Sequence, residues 1–315
     1  MTRQTRADGS LRHLLSLESL SRGEIERLLD RAQQYVRPLG ARPATSDELA
    51  GITVANLFTE PSTRTRVSFE LAAKRLGAEV VNLEVQLSSR AKGESMLDTI
   101  FTLESLHVDV FVIRDAEAGV TRLVASSVAP HVSVLSAGEG SVSHPTQGLL
   151  DALTIRQRKG RIDGLTVAIV GDVRHSRVAR SAYQALTTLG AAEVRIVAPP
   201  ALLPADDEFG GCSRHTDIEA GLRGADVVMA LRIQRERMQD EAQLDAAAYF
   251  SEFGLTSARL RLARPDAIVM HPQPMNRGVE IAPDVADGPN SAIRDQVRNG
   301  VAVRMAVLAT VVRRA

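Results

Sequence analysis

One feature constrains this chain more than any other: apolar, β-branched runs alternate with stretches of helical periodicity. GITVANLF (51–58), EVVNLEV (79–85), VDVFVIR (108–114) and VSVLS (132–136) read as buried strands. Helical stretches lie between them, near STRTRVSFELAAKRL, ESMLDTIFTLESL and VTRLVASSVA. After HPTQGLLDALTIRQRKG a second set begins with LTVAIVGDV (165–173), EVRIVAP (193–199), ADVVMAL (225–231) and DAIVMHP (266–272). Such strands alternating with amphipathic helices predict parallel sheets flanked by helices. Two sets predict two α/β domains with a cleft between them. The chain has 315 residues, and at roughly 150 residues per domain that also suggests two. The expected division is 1–145 plus 292–315 against 146–291, because SAIRDQVRNGVAVRMAVLATVVRR reads as a long helix returning to the first domain. Upstream, Ser21 with Glu24 forms a capping box, and Ile25, Leu28, Leu29 and Ala32 make a buried stripe behind it.

Composition removes several function classes. Lys+Arg and Asp+Glu are both 38, so the net charge is zero, which argues against nucleic acid or an anionic membrane as partner. The single cysteine, Cys212, excludes an intrachain disulfide framework and a cysteine metal cluster, and fits a reducing cytoplasm. No apolar run reaches the ~18 residues of a membrane span. The polar start, MTRQTRADGS, lacks the apolar segment of a signal peptide and is expected to be a short mobile tail.

In α/β domains ligands sit at the carboxyl ends of the strands. The unusual residues of this sequence fall at those ends. FTEPSTRTR (58–66) comes after the first strand, and the stripe Phe69, Ala72, Ala73, Leu76, closed by Gly77, makes the next segment a helix. Arg64 and Arg66 therefore lie in the first turn of a helix, where the dipole disfavours cations. Backbone N–H groups of that turn, with the hydroxyls of Ser62, Thr63 and Thr65, suit a phosphate, and a dianion there makes Arg64 favourable. The plainer alternative is that Ser62 caps the helix and the arginines face solvent. Arg114 ends VDVFVIR; His144-Pro145-Thr146-Gln147 opens the joining helix; GDVRHSR, LRIQRER and HPQP end strands of the second set. Cations and amides thus recur at strand ends of a neutral chain, which predicts a concentrated anion site.

FTEPSTRTRVSFE, HPTQGLLD and HPQPMNRGVEI, in this order, resemble the aspartate/ornithine carbamoyltransferase family, and the resemblance runs from about Leu11 to the C-terminus. It implies an active site in the interdomain cleft and at a subunit interface. The first domain would hold carbamoyl phosphate and the second the amino acid. The implied reaction transfers the carbamoyl group of carbamoyl phosphate to the amine of L-aspartate, giving N-carbamoyl-L-aspartate and phosphate in pyrimidine biosynthesis. By resemblance, Ser62, Thr63, Arg64 and Thr65 cradle the phosphate, while Thr65, Arg114 and His144 face the carbonyl oxygen. Gln147 and the backbone around Gln273 and Pro274 take the carbamoyl amide, with Gln273-Pro274 expected to be cis. Arg177 and Arg232 hold the aspartate carboxylates with Gln234 in support. Lys92 reaches both substrates from the neighbouring subunit, as does Ser88. Neither cofactor nor metal is implied, because fixed donors can stabilise the oxyanion. The family forms catalytic trimers, and some bacterial members join regulatory or dihydroorotase-like chains.

Each residue also has an ordinary structural reading. His144 can simply precede a helix whose first residue is Pro145. Arg177 and Arg232 can be solvated helix ends, Lys92 a loop lysine and HPQP a rigid turn. Gln273 stands where several relatives have leucine, and Val178 where some have threonine; neither departure removes a charge. An ornithine-type acceptor site is disfavoured by the missing SMG and HCLP motifs. A dinucleotide-binding dehydrogenase is disfavoured by a single glycine in GDVRHSR. A non-catalytic carbamoyltransferase-like subunit would be expected to have lost a key residue, and none is lost here.

Overall fold

Parallel pairing is the rule in both halves of the chain. The computed structural model describes residues 4–84, 95–205, 208–234 and 245–313. Strands β1 (Thr53–Phe58), β2 (Glu79–Glu84), β3 (Val110–Asp115) and β4 (Ser133–Glu139) form one sheet in the order β2-β1-β3-β4. A second sheet, in the order β7-β6-β5-β8-β9, contains β5 (Thr166–Val170), β6 (Glu193–Val197), β7 (Ser213–His215), β8 (Val227–Ala230) and β9 (Ile268–Met270). Each neighbouring pair runs parallel. The helices are α1 (Arg22–Tyr35), α2 (Thr63–Arg75), α3 (Met96–Ser105), α4 (Val120–Ser127), α5 (Pro145–Lys159), α6 (Arg177–Thr188), α7 (Ile218–Leu222), α8 (Ala246–Phe253), α9 (Ser257–Leu260), α10 (Pro283–Ala286) and α11 (Ile293–Val311). The chain divides into two compact units, Met1–Leu150 with Arg298–Ala315, and Asp151–Val297.

Local sequence explains the elements that carry the site. β1 is buried from Val54 to Phe58, and its neighbours β2 and β3 pair with both its edges. In α2, Phe69, Ala72 and Ala73 are buried on one stripe, and Leu76 caps the helix just before Gly77 turns the chain at φ 83°. Burying Phe69 and Leu76 contributes about 1.5–3 kcal/mol each. The buried Arg304 of α11 lies 4.9 Å from the Phe69 ring centroid, so its cation covers the π face of the same stripe. The Ser21 capping box forms as expected: the Ser21 side chain accepts from Glu24 N–H, and Glu24 Oε2 accepts from Ser21 N–H at 2.7 Å.

Two expectations change. β7 was not foreseen, because Ser213, Arg214 and His215 are polar and half-buried at the sheet edge and carry no apolar alternation. The polar start is not a mobile tail from Gln4 onward. Gln4 is buried; its amide donates to Ser16 O at 3.1 Å and to Ser19 Oγ at 2.6 Å, and its carbonyl accepts from Leu15 N–H and Ser16 N–H. Leu14 bridges in parallel to Leu135, so this segment continues the first sheet past β4. A side chain with two donors and one carbonyl can staple a polar segment that hydropathy alone would set loose.

His13 fixes the same segment: it is buried, and its Nδ1 accepts from Val134 N–H at 2.9 Å. Burial, reinforced by Arg12 and Arg6, pushes its pKa down to about 3 from 6.5. The unfolded chain therefore gains a proton below about pH 6.5 that folded His13 refuses, so this residue makes the fold lose stability as pH falls towards 3. We predict that unfolding free energy drops by about 2 kcal/mol less between pH 7 and pH 5 in His13→Asn, which keeps an acceptor but cannot titrate, than in the wild type. Denaturant titrations at the two pH values measure this; parallel losses would contradict it.

Candidate active site

Because the strands of each sheet are parallel, their carboxyl ends share one edge, and the described residues among those singled out by sequence fall on those two edges. In the first unit, β1 runs into the first turn of α2. Ser62 occupies the N-cap position with φ −157° and ψ 79°, and its side chain makes no cap hydrogen bond. Of the plainer reading, the side-chain cap by Ser62 is not made, whereas Arg64 does face solvent. Thr65 is buried, Ser62 half-buried, and Thr63 and Arg64 are exposed. The first turn of α2 contains no acidic residue. Here a helix begins with an unspent hydroxyl at its N-cap and arginine where the dipole prefers an anion.

Arg114 lies beside this turn. It pairs in register with Phe58 across β1 and β3, and its backbone carbonyl accepts from Thr59 N–H at 3.0 Å. Its guanidinium lies 3.2 Å from Glu60 Oε2 and donates to Ala137 O, in β4, at 3.3 Å. A side chain held by a carboxylate and a carbonyl enters any reaction with its rotamer already set. His144 precedes α5 and is buried; its carbonyl accepts from Gln147 N–H at 2.9 Å and Gly148 N–H at 3.2 Å, so it acts as the N-cap residue before Pro145. Gln147 is buried one turn on. The turn leading to His144 is anchored at Glu139, whose Oε1 accepts from Thr121 N–H at 2.7 Å at the start of α4. Ser143 Oγ donates to Leu15 O at 3.0 Å.

In the second unit, Arg177 is buried and is the first residue of α6, after β5. Like α2, α6 has arginine in its first turn and no acidic residue there. Arg232 and Gln234 come after the adjacent strand β8, half-buried. The two loops are locked together by Asp172, which is fully buried. Its Oδ1 accepts from His175 N–H at 3.2 Å and from His175 Nδ1 at 2.8 Å, while its Oδ2 accepts from Gln234 N–H at 3.2 Å. Gln234 Nε2 returns a bond to His175 O at 3.2 Å. With Oδ1 accepting, the ring proton of His175 lies on Nδ1. The loops meet so closely that a Cβ on Gly171, at φ 125°, would lie 2.7 Å from Leu231 O; only glycine fits. Gln273 and Pro274 come after β9, the next strand along; their peptide bond is cis, and Gln273 has φ 57°.

The predicted residues thus form two groups. Ser62, Thr63, Arg64, Thr65, Arg114, His144 and Gln147 belong to the first unit, and Arg177, Arg232, Gln234, Gln273 and Pro274 to the second. Ser88 and Lys92 lie outside the described residues. Sequence reasoning missed Glu60, Glu139, Asp172 and His175. Of these only Asp172 announced itself, as an ionisable residue directly after the apolar strand VAIVG.

Two parallel α/β units, each with cationic and amide side chains and a helix with arginine in its first turn at the carboxyl edge of its sheet, define a protein built to hold small anionic ligands. Residues 12–157 match the family profile described as aspartate/ornithine carbamoyltransferase, carbamoyl-P binding domain, and residues 163–311 the Asp/Orn binding domain of the same family. The chain belongs to the aspartate/ornithine carbamoyltransferase family. Its structure is similar to that of Trypanosoma cruzi aspartate transcarbamoylase in complex with carbamoyl phosphate, at 36% identity over 96% of each chain with a TM-score of 0.86. The same figures hold for that enzyme with carbamoyl aspartate and phosphate. Ornithine carbamoyltransferase from Pyrococcus furiosus is similar at 32% identity over 96% of this chain and 97% of that one, with a TM-score of 0.84.

We predict that Asp172→Ala loses roughly 3 kcal/mol of stability, the cost of stranding buried donors that now bond a carboxylate. For a chain of 315 residues that is a fall in melting temperature of about 4–5 °C. Calorimetry of the variant measures it, and an unchanged melting temperature would contradict the assigned role of Asp172.

Proposed function

We propose that the chain transfers the carbamoyl group of carbamoyl phosphate to the amine of L-aspartate, releasing N-carbamoyl-L-aspartate and phosphate, in the pathway that builds pyrimidines. The observation that carries the acceptor assignment is the pair Arg177 and Arg232 on loops cross-linked by Asp172. Two fixed cations suit a dicarboxylate and repel ornithine, whose side chain is itself a cation. The similarity to the Trypanosoma cruzi enzyme with carbamoyl phosphate and with carbamoyl aspartate supports the same reading.

In this reading the phosphate rests on the N–H groups of the first turn of α2, with the hydroxyls of Ser62, Thr63 and Thr65 and the guanidinium of Arg64 around it. Thr65, Arg114 and His144 face the carbonyl oxygen and stabilise the negative charge that gathers there as the amine attacks. Gln147 and the backbone at Gln273 and Pro274 hold the carbamoyl amide. Arg177 and Arg232 hold the two carboxylates, with Gln234 in support. The substrates bring about four negative charges. Arg64, Arg114, Arg177, Arg232 and Lys92 balance them locally in a chain of zero net charge. Holding the amine within about 3–3.5 Å of the carbamoyl carbon turns a bimolecular reaction into an effectively unimolecular one.

The same reading makes the protein a homotrimer, or a multiple of trimers, in which Ser88 and Lys92 serve a neighbour's site. Supporting it, Val67 and Leu71, four residues apart on α2, and Val81, on the edge strand β2, are exposed apolar side chains of the first unit. Phe101 of α3 and Leu106 add to the exposed apolar surface of that unit. A regulatory or dihydroorotase-like partner and a cytoplasmic location belong to the same proposal, the latter consistent with Cys212 being free.

The direct test incubates the purified chain with carbamoyl phosphate and, in parallel, L-aspartate or L-ornithine, and quantifies the carbamoylated product. We expect carbamoyl aspartate alone, and a fall in turnover of about 10²–10³-fold in Arg114→Ala, the usual cost of losing one oxyanion donor. Carbamoyl ornithine would overturn the dicarboxylate role of Arg177 and Arg232, and wild-type turnover in Arg114→Ala would overturn its place at the oxyanion.

A further inference from the structure

The loop after β9 is held by a buried polar network that the reaction itself does not use. His271, Glu280, Gln296 and Asp151 are each at most 2% exposed and all lie in the second unit. Gln296, at the start of α11, accepts from His271 N–H at 2.9 Å through Oε1 and donates through Nε2 to Asp151 Oδ1, on α5, at 2.8 Å. The imidazole of His271 turns the other way: its Nδ1 accepts from Gln273 N–H at 2.9 Å. With Nδ1 accepting, the ring proton of neutral His271 is on Nε2, which lies 3.3 Å from Glu280 Oε1. The same oxygen accepts from Asn276 N–H.

The geometry therefore fixes both ends of the Gln273–Asn276 stretch, the Gln273 N–H on the His271 side chain and the Asn276 N–H on the Glu280 side chain. Those two side chains face each other, and the near end of the loop is tied through Gln296 to α5 and α11. Gln273 sits at φ 57°, a left-handed conformation that a residue with a side chain adopts only where its surroundings impose it. Burying an imidazole, a carboxylate, an amide and a second carboxylate is costly unless their bonds are made. An apolar cluster would fill the same space without that cost, but it would not fix which way two backbone N–H groups point.

We propose that the buried His271–Glu280 pair, anchored through Gln296 to Asp151, is a positioning device that presents the Gln273–Pro274 backbone to the carbamoyl amide of carbamoyl phosphate. The inference rests on the proposed function and adds residues that touch no substrate. It assigns them to one part of one ligand: the network acts on the carbamoyl end, whereas the phosphate is held at α2.

The experiment measures steady-state kinetics of Glu280→Ala, Glu280→Gln and Glu280→Asp, together with inhibition by inorganic phosphate and melting temperature. In Glu280→Ala the Asn276 N–H loses its acceptor and His271 Nε2 loses the carboxylate 3.3 Å away, and we expect the KM for carbamoyl phosphate to rise about tenfold or more. The inhibition constant of inorganic phosphate, which has no carbamoyl group, should stay within about twofold, since a twofold change is well under the cost of one hydrogen bond. Glu280→Gln, whose amide oxygen can accept from Asn276 N–H and still face His271 Nε2, should restore the KM to near the wild-type value. If Glu280→Ala does not fold, Glu280→Asp carries the test, because its shorter carboxylate cannot reach both donors and should raise the same KM. An unchanged KM, equal losses for carbamoyl phosphate and phosphate, or a Gln variant no better than Ala would overturn the proposal. A wild type that makes no carbamoyl aspartate would overturn the proposed function and this inference together, whereas an active wild type with indifferent variants overturns this inference alone.

Discussion

Parallel strand pairing is the constraint on which the rest of the structure depends. A parallel ladder requires a crossover from the end of one strand to the start of the next, so every strand end of a sheet emerges on one edge. In the first unit that edge gathers the turn after β1, Arg114 at the end of β3 and the segment after β4 that leads to His144. In the second it gathers the loops after β5, β8 and β9. Residues more than fifty positions apart in the chain become neighbours without any contact having been designed between them individually. The apolar cores beneath, including Phe111, Ile113 and Val134 in one unit and Val228, Val269 and Ile281 in the other, keep each edge rigid.

On that rigid edge the sequence places charge where isolated helices would avoid it. Arg64 stands in the first turn of α2 and Arg177 is the first residue of α6, each facing the positive end of a helix dipole. Such an arrangement costs an isolated helix stability, and an anion at the helix N-terminus would offset that cost. The supporting groups are themselves acidic or amide: Glu60 beside Arg114, Asp172 between the loops of Arg177 and Arg232, and Glu280 under the Gln273–Pro274 turn. Carboxylates thus position the turns and loops on which the arginines stand. This arrangement lets a chain with 38 positive and 38 negative side chains build an anion site without a basic surface.

How much of this was legible in the sequence depends on the kind of signal each part sends. The strands and the α2 stripe declare themselves through short-range apolar spacing, and FTEPSTRTR, HPTQ and HPQP through residue types at strand ends. β7 sends no such signal, because a short edge strand of Ser213, Arg214 and His215 buries little. The start of the chain misled, since its order comes from hydrogen bonds of Gln4 and His13 to residues that hydropathy does not link to them. Glu60, Asp172, His271 and Glu280 were passed over for a related reason: their roles depend on which distant N–H group they meet, and that is settled only by the fold. Lys92 and Ser88 stand on family resemblance alone.

The central claim is that the first turn of α2 receives the phosphate and that Arg114 and His144 receive the carbonyl oxygen. A crystal structure with carbamoyl phosphate tests it most directly. The account predicts phosphate oxygens within about 2.7–3.2 Å of the N–H groups and hydroxyls between Ser62 and Thr65, with the carbonyl oxygen directed at Arg114 and His144. Carbamoyl phosphate bound elsewhere, or bound here with its phosphate turned away from α2, would contradict it.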